Sequence, residues 1–87
     1  MDTLGWIHYR LGEYEMATPL LRSAVERAPD RAILRYHLGM AYKAENNRDK
    51  ALKELEQAVT LADSQHFPAR EEAEKAIAEL RSGPKTN

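Results

Sequence analysis

The 87-residue chain has no cysteine, so neither disulfides nor thiolate metal ligands belong to it. It also lacks charge of one sign: 13 Lys and Arg stand against 14 Asp and Glu, a net charge of −1. Nothing forms the basic stripe that phosphate contacts require, so nucleic acid is excluded as the expected partner. No apolar run approaches the roughly 18 residues of a membrane span. The opening "MDTLGW" has neither the basic nor the apolar region of a signal peptide, and no membrane insertion is expected. No feature fixes the compartment; a soluble, cytoplasmic setting is the favoured one.

Catalytic signals are equally scarce. His8, His37 and His66 stand 29 residues apart on different elements, without the i, i+4 spacing that converges on a metal. The glutamates of "REEAEKAIAELR" alternate with Lys75 and Arg81, the pattern of a solvated face. Ser23, Ser64 and Ser82 lack the strand-turn setting of an activated nucleophile, and no glycine-rich phosphate loop is present. The expectation is a non-enzyme with no cofactor and no metal.

What the chain does contain is a sentence written twice. "LGWIHYRLGEYEMA" at residues 4–17 returns as "LGMAYKAENNRDKA" at residues 38–51. A shift of 34 residues pairs Leu4 with Leu38, Gly5 with Gly39, Ala17 with Ala51, Leu21 with Leu55, Ala24 with Ala58, Val25 with Val59 and Ala28 with Ala62. Glycine and alanine recur in this set because they let two backbones approach closely.

Each copy reads as two helices. Asp30 is a good N-cap, and Ile33, Leu34, Leu38, Ala41 and Tyr42 follow at helical spacing. "AENNR" breaks the pattern, with Asn47 as the next N-cap, before Ala51, Leu52, Leu55, Ala58, Val59 and Ala62 form a second apolar stripe. In the first copy the break falls at Gly12, and Ala17, Leu20, Leu21, Ala24, Val25 and Ala28 follow. Pro19, about a turn inside that helix, predicts a late start or a slight bend. In the tail, Pro68 suits a first helical turn, and Gly83 with Pro84 forms a stop. Ala69, Ala73, Ala76, Ile77 and Leu80 make one narrow apolar stripe on an otherwise charged helix, as expected of a cap on the open end of a stack. The fold class is all-α: a solenoid of antiparallel helix pairs with five helices. Residues 1–82 form one domain, with repeat one at 1–29, repeat two at 30–63, a capping helix at 68–82 and a frayed tail at 83–87.

A 34-residue helix-turn-helix unit with L-G-x2-Y in its first helix resembles the tetratricopeptide repeat, or TPR. The second copy carries Leu38, Gly39, Tyr42, Ala51, Leu55 and Ala58; the first carries Leu4, Gly5, Gly12, Tyr14, Ala17, Leu21, Ala24 and Pro29. Departures are His8 in the aromatic slot, Met1 and Arg35 in the tryptophan slot, and Asp63 for the closing proline. The register implies about three residues fewer than a full first helix. The chain therefore reads as the N-terminally truncated end of a longer array, either cut out as a fragment or present as a very short protein, and is similar to the terminal repeats of bacterial TPR proteins.

The resemblance implies a protein-interaction scaffold whose first helices line a concave groove for an extended peptide or amphipathic helix. With Leu4 and His8 against the paired helix, about 100° per residue turns Trp6 about 200° and Tyr9 about 140° from Leu4. The same rotation selects Ile33, Tyr36, Met40 and Lys43 in the second copy, and Arg10 flanks the first set. The partner-binding face is thus expected at Trp6, Tyr9, Arg10, Ile33, Tyr36, Met40 and Lys43, aromatic at its centre and basic at its edge. A competing reading packs Tyr9 and Tyr36 between repeats. TPRs that clamp an acidic C-terminus use lysine, asparagine and arginine where Trp6, Tyr36, His37 and Met40 stand, so that mode is not expected. The alternative function is a structural end-cap or self-association element, with a homodimer as its simplest form.

Overall fold

A computed structural model of the chain describes residues 4–63 and 67–82. Five helices follow one another: α1 (Leu4–Arg10), α2 (Tyr14–Arg27), α3 (Ala32–Ala44), α4 (Arg48–Ala62) and α5 (Arg70–Arg81). There is no strand among the described residues. α1 pairs with α2 and α3 with α4, while α3 lies on α2 and α5 on α4, so the helices stack as an α-solenoid. His66 and the tail after Ser82, like the first three residues, lie outside the described part.

Close approach within each pair depends on the repeated glycines. A Cβ added at Gly5 would lie 2.9 Å from Leu21 Cγ, and one at Gly39 would lie 2.7 Å from Leu55 Cγ. Leu21 and Leu55 are fully buried in the gaps thus opened. Two apolar clusters form the core. One joins the repeats through Ala17, Leu21, Val25, Leu38, Ala41, Tyr42 and Ala51. The other joins repeat two to α5 through Ala32, Tyr36, Leu55, Ala58, Ala62, Phe67, Ala73, Ala76 and Ile77. Their many alanines keep helix axes close, where ridge-into-groove contact is densest.

The two intra-repeat turns are copies in geometry although not in letters. Gly12 has φ +82° and Asn46, 34 residues later, φ +65°. Glu13 N–H donates to His8 C=O and Asn47 N–H to Tyr42 C=O, both at 2.9 Å. Each closes its helix with the left-handed cap that glycine adopts freely and asparagine tolerates better than most residues.

Several expected helix ends move. α3 starts at Ala32, not on Asp30: Arg31 N–H donates to Ala28 C=O at 3.2 Å, which uses Pro29 and Asp30 as the middle of a turn. α5 behaves alike, with Arg70 N–H bonded to Phe67 C=O at 3.2 Å and Pro68 inside the turn, so the helix starts at Arg70. Proline with its fixed φ suits the second position of such a turn. Asn47 holds the N-cap position of α4 but makes no side-chain cap bond. α2 has no late start; it runs from Tyr14 through Pro19. Pro19 has no N–H to donate to the Glu15 carbonyl one turn earlier.

Leu4 is a further correction. Its side chain is 60% exposed, whereas Leu38 at the equivalent place is 2% exposed, because α2 covers Leu38 and no described helix covers that side of Leu4. His8 likewise fills no sealed slot. Its Nδ1 lies 2.6 Å from Glu13 Oε1 while the ring stays half-buried.

Candidate partner-binding face

The first helix of each pair, together with α5, forms one side of the stack. Trp6 reaches from α1 to α3, and Lys43 Nζ on α3 lies 3.2 Å from Glu79 Oε1 on α5. All seven expected contact residues belong to α1 and α3.

Their rings meet one another first. Trp6 lies between Tyr9 and His37, nearly parallel to both, with centroid distances of 4.4 and 3.8 Å. Tyr9 continues to Tyr14 at 5.4 Å; Tyr36 lies 6.0 Å from Trp6 and meets Phe67 edge-on at 5.6 Å. Six rings therefore run in contact from the start of α2, across α1 and α3, to the approach of α5. Offset stacks and edge contacts of this kind contribute about 0.5–1.5 kcal/mol per pair beyond their buried area.

This arrangement changes the expected surface. Tyr36 is 8% exposed and belongs to the core, so it supports the face from beneath. Both faces of the Trp6 indole are covered within the chain, which leaves its edge to a partner. Tyr9, Ile33 and Met40 are half-buried, with Ile33 and Met40 packed on the second cluster. Arg10 is exposed, and Lys43 is tied to Glu79 at the rim. Burial raises the Tyr36 phenol above its ordinary value, with the Glu72 carboxylate and Tyr9 adding to the effect. Burial, then Tyr14, raises Tyr9. Both phenols are therefore neutral donors at physiological pH.

A separate hollow lies at the turn between α1 and α2. An open depression of about 620 Å³ is lined by Gly12, Glu13, Tyr14, Glu15, Met16, Ala44 and Glu45. Glu45 Oε1 accepts from Thr18 Oγ1 there at 2.6 Å, fastening α3 to α2. No group of three His, Asp or Glu side chains among the described residues could hold a metal.

Sequence reasoning missed His37, Phe67 and Arg35 as structural anchors. A further 34-residue step would have found Phe67, which follows Ile33 by that distance as Ala73 follows Gly39. Arg35, in the slot where the family favours tryptophan, donates to Pro29 C=O and to Glu54 Oε1, each at 2.9 Å. It ties the inter-repeat loop to α4 by charge where an indole would do so by packing. His37 carried no signal beyond being aromatic.

Residues 8–67 match the family model described as tetratricopeptide repeat. The helix-pair stack and this match place the chain in the tetratricopeptide repeat family, an all-α, non-catalytic fold that mediates protein–protein interaction. No curated protein is similar enough to the chain to register as a match. Among the described residues no helix is long and apolar enough to cross a membrane.

Proposed function

We propose that the chain holds an extended peptide or an amphipathic helix against the side formed by α1, α3 and α5. Tyr9, the Trp6 edge, Ile33 and Met40 supply the apolar contact, Tyr36 backs them, and Arg10 and Lys43 select acidic flanks. The observation carrying this reading is the Tyr9–Trp6–His37 stack. Rings already fixed by their neighbours lose little rotamer entropy on binding, and aromatic and Met side chains are the anchors that interfaces favour.

The test must separate contact from folding, since truncating Trp6 would also remove two stacking partners. Capture of proteins by the intact chain is compared with capture by Arg10→Glu, Lys43→Glu and Met40→Gln. Each variant should keep its thermal midpoint within a few degrees and lose a bound species roughly tenfold or more. Unchanged capture by all three would end this reading. The alternative, a structural end of a larger array, draws on the charge that α5 exposes at Glu71, Glu72, Lys75 and Glu79. It predicts the reverse: variants that alter stability or assembly and no captured partner.

A further inference from the structure

We propose that two copies of this chain associate about a two-fold axis through the α1–α2 end of the stack, with α2 antiparallel to the partner's α2. Leu4, Ile7, Leu11, Met16 and Leu20 are 60, 44, 68, 56 and 38% exposed, and all lie on α1, α2 or the turn joining them. Repeat two shows what that surface becomes when another helix covers it. Leu38 and Ala41, which correspond to Leu4 and Ile7, are buried against α2. Glu45, Lys50 and Glu54 correspond to Leu11, Met16 and Leu20, and each has a polar or aromatic partner: Thr18, the Tyr42 ring and Arg35. The first repeat replaces all three charges with apolar side chains. Its end is thus more apolar than the matching places of repeat two, of which Glu45 alone bonds across to repeat one, at Thr18.

Three features select a second copy as the occupant. First, the opposite end of the molecule does not fit: α5 exposes Glu71, Glu72, Glu74, Lys75 and Glu79, and pressing apolar side chains there would desolvate these charges. Second, a two-fold contact places the same patch against itself, so it needs an uncharged centre, which Leu20 and Met16 provide. Third, the exposed residues Glu13, Met16, Leu20, Ser23 and Arg27 follow one another at spacings of 3, 4, 3 and 4, the seam of a helix that pairs with another helix. Run antiparallel about Leu20, the seam sets Leu20 against its own copy, Met16 against the partner's Ser23, and Glu13 against the partner's Arg27. The charges oppose at both ends, and Leu4, Ile7 and Leu11 flank the apolar middle.

Sedimentation equilibrium of the 87-residue chain from about 1 μM to 1 mM, the range of weak specific complexes, tests this. Mass should rise from 9.9 kDa to twice that value and stop. Leu20→Lys, which brings two like charges to the axis, should remain monomeric with unchanged helix content. Arg27→Glu should weaken dimerisation about tenfold, and adding Glu13→Arg should restore it, a recovery that a purely structural role for either residue would not give. The groove variants Arg10→Glu and Met40→Gln should dimerise as the parent does, so this surface and the proposed binding face fail or stand separately. A monomer throughout, growth beyond the dimer, an unaffected Leu20→Lys, or a charge swap without recovery would each overturn it.

Discussion

A single hydrogen atom in place of a methyl group sets the distance between α3 and α4. At Gly39 a Cβ would meet not only the Leu55 side chain but also its backbone nitrogen at 3.2 Å, and the backbone cannot step aside as a rotamer can. Gly39→Ala gains helix propensity of about 0.5–1 kcal/mol but costs about 1–3 kcal/mol in overpacking. The net is a loss of about 1–2 kcal/mol, which lowers Tm by roughly 5–10 °C in a domain this size. A Tm at or above the parent value would contradict that contact. The two core-side phenols give a second residue-scale prediction. Their folded pKa lies above the ordinary value near 10, so the neutral form contributes stability that is complete below pH ~10 and lost as pH rises through the folded pKa. Tyrosinate absorbance should therefore show Tyr9 and Tyr36 ionising above the ordinary phenol range, with stability falling as they do. Ionisation of both at the ordinary value would remove the burial account.

At the scale of the element, α1 stands apart. It has seven residues, and Gly5 is the one buried residue among them. A helix so short has little stability alone. It is held by the Gly5–Leu21 approach and by the Trp6 stack on α3. Amide exchange at His8, Tyr9 and Arg10 should therefore run at least about a hundredfold faster than at Leu55 and Ala58, which lie in the fully packed part of α4. Equal protection would mean that α1 opens only with the whole domain. The helices themselves were legible because spacing and small residues carry them: Leu21, Leu38, Leu55 and the paired glycines all stand where the 34-residue shift places them. Their ends were less legible. Asp30 and Pro68 satisfy rules for helix starts and for turns alike, and a turn hydrogen bond three residues long decides between them. Asn46 was overlooked for a related reason, since its role shows only in a backbone angle.

Over the whole molecule, sequence periodicity located the side of the stack on which Trp6 and Tyr9 fall but not how far the rings lean on one another. That depends on His37 and Phe67, whose contribution arises from contacts across repeats and has no local spacing. The consequence is a division of labour. Tyr36 went to the core, Trp6 to the seam between repeats, and the exposed apolar area to an end of the stack where Leu11, Met16 and Leu20 stand in place of the charges Glu45, Lys50 and Glu54 of repeat two.

Trp6 is the one indole in the chain, and it packs against both apolar clusters while pinning α1 to α3. Its fluorescence is therefore a built-in gauge of whether the first helix is docked. Release of α1 wets both sides of the ring and moves emission to longer wavelength, while far-ultraviolet dichroism, dominated by the four longer helices, barely changes. One unlabelled sample thereby separates the detachment of its first helix from the melting of everything behind it.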